Sequence, residues 1–171
     1  RLQGRTIQED QSASDFNDTA RAMMDYGERG WLANEFNNST AKWNIAGQQV
    51  MMAPLTAFGS IVNNDQWDGY PAERNRFYAD LQQNSSKNFV VLSGDLHSAL
   101  ANDLPLSGYS SSNRSASASV EFLTPSVTSP NQYSNISPSL IKLFNSHVRY
   151  VDLSYHGFII LDVNKNRVQG D

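Results

Sequence analysis

The stretch Asn88-Phe89-Val90-Val91-Leu92-Ser93-Gly94-Asp95-Leu96-His97-Ser98 decides how this chain reads. Phe89 to Leu92 is an unbroken apolar run, and a short run without polar alternation is the pattern of a strand covered on both faces. Ser93 and Gly94 close the run, so Asp95 and His97 fall at the carboxyl end of the strand, where open α/β sheets form their ligand crevice. In extended backbone, two residues at alternate positions project to the same side. A carboxylate and an imidazole converging there suit a divalent or trivalent cation. Gly94 lacks a Cβ and would let the backbone turn close to such an ion. The alternative is that Asp95 caps the next turn and His97 is an ordinary hydrogen-bonded histidine. A lone Asp-x-His spacing does not choose between them.

On the amino-terminal side, Trp43 to Leu55 (WNIAGQQVMMAPL) reads as a buried strand that runs into a loop at Pro54. Gln48 and Gln49 lie beside the presumed crevice. They either donate to a substrate oxygen or satisfy buried backbone. Before this strand, Glu28 to Asn37 reads as a helix with Trp31, Leu32 and Phe36 close to one face, ended by the Asn/Ser/Thr run at 37–40. Residues 6–25 are polar and read as surface loop or loose helix. Pro71 fits a first helical turn, and Phe77 and Leu81 give that helix an inward stripe. Arg76 and Asp80 pair on its outer face, for a few tenths of a kcal/mol, on the order of 0.3. On the carboxyl side, Ser107 to Ser119 is a long loop, Val120 to Leu123 a short strand and Thr124 to Pro138 turn-rich coil. Ser139 to Asn145 is a short helix. His147 to Asp171 forms two or three strands, with Gly157 inside the pattern and a hairpin turn at Asn164 to Asn166. Helices and strands alternate at first and strands dominate later, which predicts a layered α/β sandwich.

The 171 residues suit one domain or part of a larger one. The chain opens at Arg1 without Met or a signal-like stretch, and so reads as a processed or excerpted piece. Apolar residues make up 39% and charged residues 18%, with 8 Phe, 7 Tyr and 3 Trp, a composition that argues against intrinsic disorder. No apolar run approaches the ~20 residues of a membrane span. The net charge is −4 and no Lys/Arg cluster offsets it, so there is no nucleic acid-binding signature. The same balance repels an anionic substrate unless a bound cation reverses the local field. Without cysteine, disulfides, thiolate-held zinc and thiol nucleophiles are excluded.

Five blocks then occur in one order: NIAGQQVMMAPL, DQWDGYPAERNR, VVLSGDLHSALANDL, VEFLTPSVTSP and HVRYVDLSYHGFIILDV. Together they resemble the C-terminal half of the PhoD-like alkaline phosphatases, a branch of the metallophosphoesterase superfamily. The RT…Q opening and RGWLANEFNNSTAKWNI also look like the family helix before the Gln-Gln-Val strand. The resemblance implies that residues 1–171 are the C-terminal portion of a four-layer αββα sandwich. It further implies in-line hydrolysis of small-molecule phosphate esters, monoesters first and diesters as a further class, by a metal-bound hydroxide. Gly94-Asp95-Leu96-His97 matches the family variant of the Gly-His-x-His block. By that match Asp95 and His97 are metal ligands, and His97 also touches the departing group. Iron and calcium are the implied cofactors, and extracellular or periplasmic phosphate scavenging the implied setting.

The family's other ligand blocks lie upstream, including an Asp with a nearby Cys, and nothing in this chain resembles them. Either a missing N-terminal half completes the site, or the chain is a non-catalytic half-domain that packs against a partner segment through an apolar face. Trp67, Asp68, Tyr70 and Arg74 belong to the DQWDGYPAER block. Arg74 either grips a phosphate through its planar fork or pairs with Asp68 and fixes the loop, with Asp68 and Tyr70 in supporting positions. His156 is either a donor that orients a ligating group or a histidine packed beside Gly157 in a hairpin.

Overall fold

The computed structural model describes residues 11–83, 88–131 and 133–171. Their elements are α1 (Tyr26–Asn38), β1 (Asn44–Val50), β2 (Thr56–Ala57), β3 (Ser60–Ile61), a 3-10 turn (Trp67–Gly69) and α2 (Pro71–Gln83). There follow β4 (Phe89–Gly94), β5 (Ala99–Pro105), β6 (Ser117–Leu123), α3 (Pro138–Phe144), β7 (Val148–Asp152), β8 (Leu161–Val163) and β9 (Val168–Gly170). The main sheet has five strands in the order β1-β4-β6-β5-β7. Only β5 runs against its neighbours; β1, β4 and β6 are parallel. The mixed α/β class expected from the sequence is what folds, and the described residues supply one large sheet of the implied four-layer stack.

Val91 aligns with Glu121 and Glu121 with Asn102, in a row on the face that looks into the core. Val91, Leu100, Leu104 and Leu123 are buried on that side with Met51, Met52, Tyr78 and Leu81. Phe89 of β4 meets Phe36 of α1 at 5.0 Å and Phe77 of α2 at 5.8 Å, both edge-on, so the two helices share one aromatic anchor. The opposite face carries a row of Gly47, Leu92, Phe122, Ala101 and Tyr150. The β8–β9 hairpin lies across part of it. A Cβ on Gly170 would come within 2.8 Å of the Phe122 ring, so only glycine allows that approach. The remainder of this face is partly open: Ile45 and Tyr150 on it are exposed, as is Phe158 in the segment that runs beside it.

Several elements differ from the sequence reading. The expected strand from Trp43 to Leu55 leaves the sheet after Val50. Met52 and Ala53 donate their backbone N–H groups to the Glu121 carboxylate instead of to a neighbouring strand. Trp31 is 64% exposed whereas Phe36 is buried, because at 3.6 residues per turn a spacing of five places them well apart around the helix. α1 begins with a capping box between Asp25 and Glu28. Residues 1–10, including the RT…Q opening, lie outside the described residues. Of the rest of that polar segment, Phe16, Arg21, Ala22 and Met23 are buried, so it is no mere surface loop. β5 was unforeseen, since Asn102 and Asp103 interrupt its apolar pattern, and β6 starts at Ser117 within the expected loop. Arg76 reaches the carbonyl of Thr19 at 2.9 Å. Gly157 falls in irregular backbone between β7 and β8, outside any strand. α2, α3 and the turn closing β8–β9 stand where expected, to within a residue or two.

Candidate functional site

β4 ends at Gly94, and the chain turns at once. Leu96 N–H donates to the Gly94 carbonyl at 3.0 Å, closing a three-residue turn centred on Asp95. Asp95 has φ 73° and His97 φ 60°, so both lie in the left-handed region. The alternation of extended backbone therefore does not place these side chains; the turn does. Leu96 between them is buried and anchors the turn, while Asp95 is exposed and His97 half-buried. Gly94 is not the residue that bends: a Cβ there would meet Thr124 at an ordinary 3.6 Å. Each non-glycine residue held left-handed costs on the order of 1 kcal/mol, and such strain concentrates at functional sites.

The segment after β6, which reads in the sequence as coil, wraps this turn. Thr124 N–H extends the β4–β6 ladder to the Ser93 carbonyl at 2.9 Å. His97 Nδ1 lies 3.1 Å from the Pro130 carbonyl. A carbonyl only accepts, so Nδ1 carries the hydrogen and, in the neutral ring, Nε2 holds the lone pair. Asn131 Nδ2 donates to Ser98 Oγ at 2.8 Å, tying the loop to the far side of the turn. His156 Nε2 lies 3.0 Å from the Ser129 carbonyl, and Gly157 N–H donates to Ser126 at 3.1 Å. His156 thus acts one residue away from the carbonyl that orients His97, and no hairpin surrounds it. Burial raises the pKa of Tyr133, and the nearby Asp95 carboxylate raises it further.

Gln48 and Gln49 stand at the same end of the sheet. The Gln48 side chain is taken up by its own neighbourhood: it donates to the Val50 carbonyl, and its Oε1 accepts from the Trp67 indole at 3.0 Å. The backbone-satisfying role is the one the structure shows. Gln49 is exposed and, with Ser93, Gly94, Thr124 and Phe158, lines a cavity of about 580 Å³.

Arg74 lies elsewhere. It pairs with Asp68, whose second oxygen accepts from Leu55 N–H at 2.8 Å and Gln66 Nε2 at 3.1 Å. Arg74 borders a cavity with Pro105 and His147, at the end where β5 finishes and β7 begins. The Asp95 turn is at the end where β5 starts, so the length of β5, about 20 Å at ~3.3 Å per residue, separates the two. Neither a phosphate grip beside Asp95 nor a supporting role for Asp68 fits this placement. Tyr70 is also in the core, 2% exposed, with the Arg21 guanidinium over its ring. Trp67 stacks on Phe77.

The sequence reading passed over Glu121, Asn131 and the carbonyls of Ser129 and Pro130. Glu121 carried a usable signal, a charge between Val120 and Phe122 within a strand. The backbone carbonyls carried none. An exposed carboxylate and, two residues on, an imidazole whose Nε2 has no hydrogen-bond partner among the described residues are donors of the kinds that suit a cation held by oxygen and nitrogen. Two donors fall short of a closed shell of four to six or more. Among the described residues, no group of three or more His, Cys, Asp and Glu converges to hold a metal.

Comparison with known proteins assigns the chain to a family. The model of the family described as PhoD-like phosphatase matches residues 1–171. Alkaline phosphatase D of Bacillus subtilis (strain 168) is 28% identical over 183 residues, covering 99% of this chain and 31% of that protein. A solved structure titled "Structure of PhoD" superposes with a TM-score of 0.78 at 27% identity, covering 93% of this chain and 31% of that one. The chain thus spans about a third of the length of the relatives it matches.

Proposed function

The chain belongs to the PhoD-like phosphatase family, and from that premise we propose that it supplies part of a metal-dependent site that hydrolyses phosphate monoesters and, by the same geometry, diesters. The observation that supports this reading is the hydrogen bond from His97 Nδ1 to Pro130, which leaves Nε2 available for a ligand two residues after the exposed Asp95. Asp95 and His97 would hold the cation. When bound, it would polarise the phosphoryl oxygens, acidify water and offset the net charge of −4 that repels an anionic ester. In this reading His97 would also meet the departing oxygen, and Gln49, which borders a neighbouring cavity, would donate to a substrate oxygen. Iron and calcium as the metals, and export for phosphate scavenging, rest on family resemblance alone.

The remaining ligands must come from residues outside those described here, in keeping with relatives about three times as long. The partly open face of the sheet, with Ile45 and Tyr150 exposed and Phe158 beside it, offers a surface for the segment that would bring them. The second reading, a half-domain without turnover, is favoured only for the 171-residue chain in isolation, because two donors do not hold a catalytic cation. The test uses the whole protein as its gene encodes it, with p-nitrophenyl phosphate as substrate. Chelation and Asp95→Asn should each abolish hydrolysis by about a thousandfold or more, in line with loss of several kcal/mol of charge stabilisation. Activity that survives both treatments refutes the metal reading.

A further inference from the structure

Glu121 lies midway along β6 with 0% exposure, on the core-facing side of the sheet. Its Oε1 accepts from Ser93 Oγ at 2.6 Å and Met52 N–H at 2.7 Å. Its Oε2 accepts from Ala53 N–H at 3.0 Å and Asn102 Nδ2 at 3.0 Å. A carboxylate in an apolar core is tolerated only when its lone pairs are met, and each of these four partners donates. Burial pushes the carboxyl pKa up, against the pull of the four donors. A group that merely filled space here would be apolar.

The four donors are not scattered. Ser93 is on β4, two residues before Asp95, and Asn102 is on β5, five residues after His97. Met52 and Ala53 belong to the segment that leaves β1 and crosses beneath the sheet. We infer that Glu121 is a positioning residue for the Asp95–His97 turn, its carboxylate clamping the strand that enters the turn and the strand that leaves it. Two left-handed residues in succession around one buried leucine need flanking strands that do not slide. A single buried anion bonded to both strands supplies that constraint from below, while Pro130 and Asn131 supply it from above.

This role rests on the proposed metal reading of the turn, and its test separates the two. In the metal-loaded whole protein, Ser93→Ala removes one donor and leaves Glu121 three. Glu121→Gln keeps the shape and removes the charge. Both should lower kcat about tenfold and weaken metal retention in a chelator titration by a similar factor, as outer partners of metal ligands do. KM for p-nitrophenyl phosphate should stay within about twofold, since Ser93 borders the cavity but its hydroxyl is engaged by the buried Glu121. Wild-type kcat and metal retention in Ser93→Ala, whatever its Tm, would overturn the inference, as would kcat losses that merely track the unfolded fraction. If Glu121→Gln does not fold, Ser93→Ala decides alone. Full activity in Asp95→Asn overturns the metal reading instead, so which variant stays active tells the two failures apart.

Discussion

Two charged constellations occupy opposite ends of one sheet, and they are built on opposite principles. At the end where β5 starts, Asp95 is exposed on a left-handed turn and His97 presents an imidazole with one nitrogen tied back and the other free. At the end where β5 finishes, Asp68 is 1% exposed and both its oxygens are engaged, by Arg74, Leu55 and Gln66. The first region stores strain and leaves bonding capacity open; the second leaves neither. Both come from blocks that resemble the family, so resemblance alone does not separate chemistry from scaffolding. The hydrogen-bond accounting does.

The contrast can be broken by substitution, and the largest effect is expected at the closed end. Asp68→Asn should cost about 3 kcal/mol of stability, because it leaves the Arg74 guanidinium without its charge partner in a site little reached by water. Urea denaturation monitors it, and any loss of phosphatase activity should follow the unfolded fraction. A loss under about 1 kcal/mol, within the range of an exposed pair, would show that the end is not closed.

At the open end the sign should reverse. Asp95→Gly relieves the left-handed backbone at φ 73°, where no side-chain hydrogen bond to another described residue holds Asp95 in place, and should raise stability by about 1 kcal/mol. The same variant should lose phosphatase activity. A stability drop in the same denaturation series would mean that Asp95 contributes to the fold, and the proposed contrast would not hold.

The smallest effect concerns His147, near Arg74, whose Nε2 donates to the Pro54 carbonyl at 2.8 Å. Burial lowers its pKa from the ordinary 6.5. The unfolded chain therefore takes up a proton first, so stability is full above about pH 6.5 and falls as the pH drops through that value towards the folded pKa. His147→Gln should flatten the decline of Tm between about pH 7 and pH 5, the interval in which an unfolded histidine titrates. An unchanged slope would assign the acid sensitivity to another group.

Much of this was legible along the chain. Phe89 to Gly94 forms the strand its composition predicts, but its two-sided cover is incomplete: Leu92, on the open face, is only half-buried. The strand was readable because an apolar run and its terminator are local features. α2 follows from Pro71 and the Phe77–Leu81 stripe for the same reason. The pairing of Arg74 with Asp68, six residues before it, was readable within one family-like block and is what forms, whereas the role of Gln48 was decided by Trp67, 19 positions away. β5 was invisible because Asn102 looks like a surface residue until Glu121 is set opposite it.

By itself, the order of residues determined the family, the mixed α/β class and the place of Asp95 and His97 after an apolar strand. These follow from short-range pattern, which survives in any conformation of the chain. The tertiary structure alone decided the left-handed turn, the carbonyl that selects the His97 tautomer, the convergence on Glu121 and the removal of Arg74 to the far end. The tautomer and the convergence depend on contacts between residues distant in sequence: His97 and Pro130 are 33 positions apart, and Met52 and Glu121 are 69. Hydrogen bonds of that span form only when the backbone closes around them, so no local reading of the chain contains them.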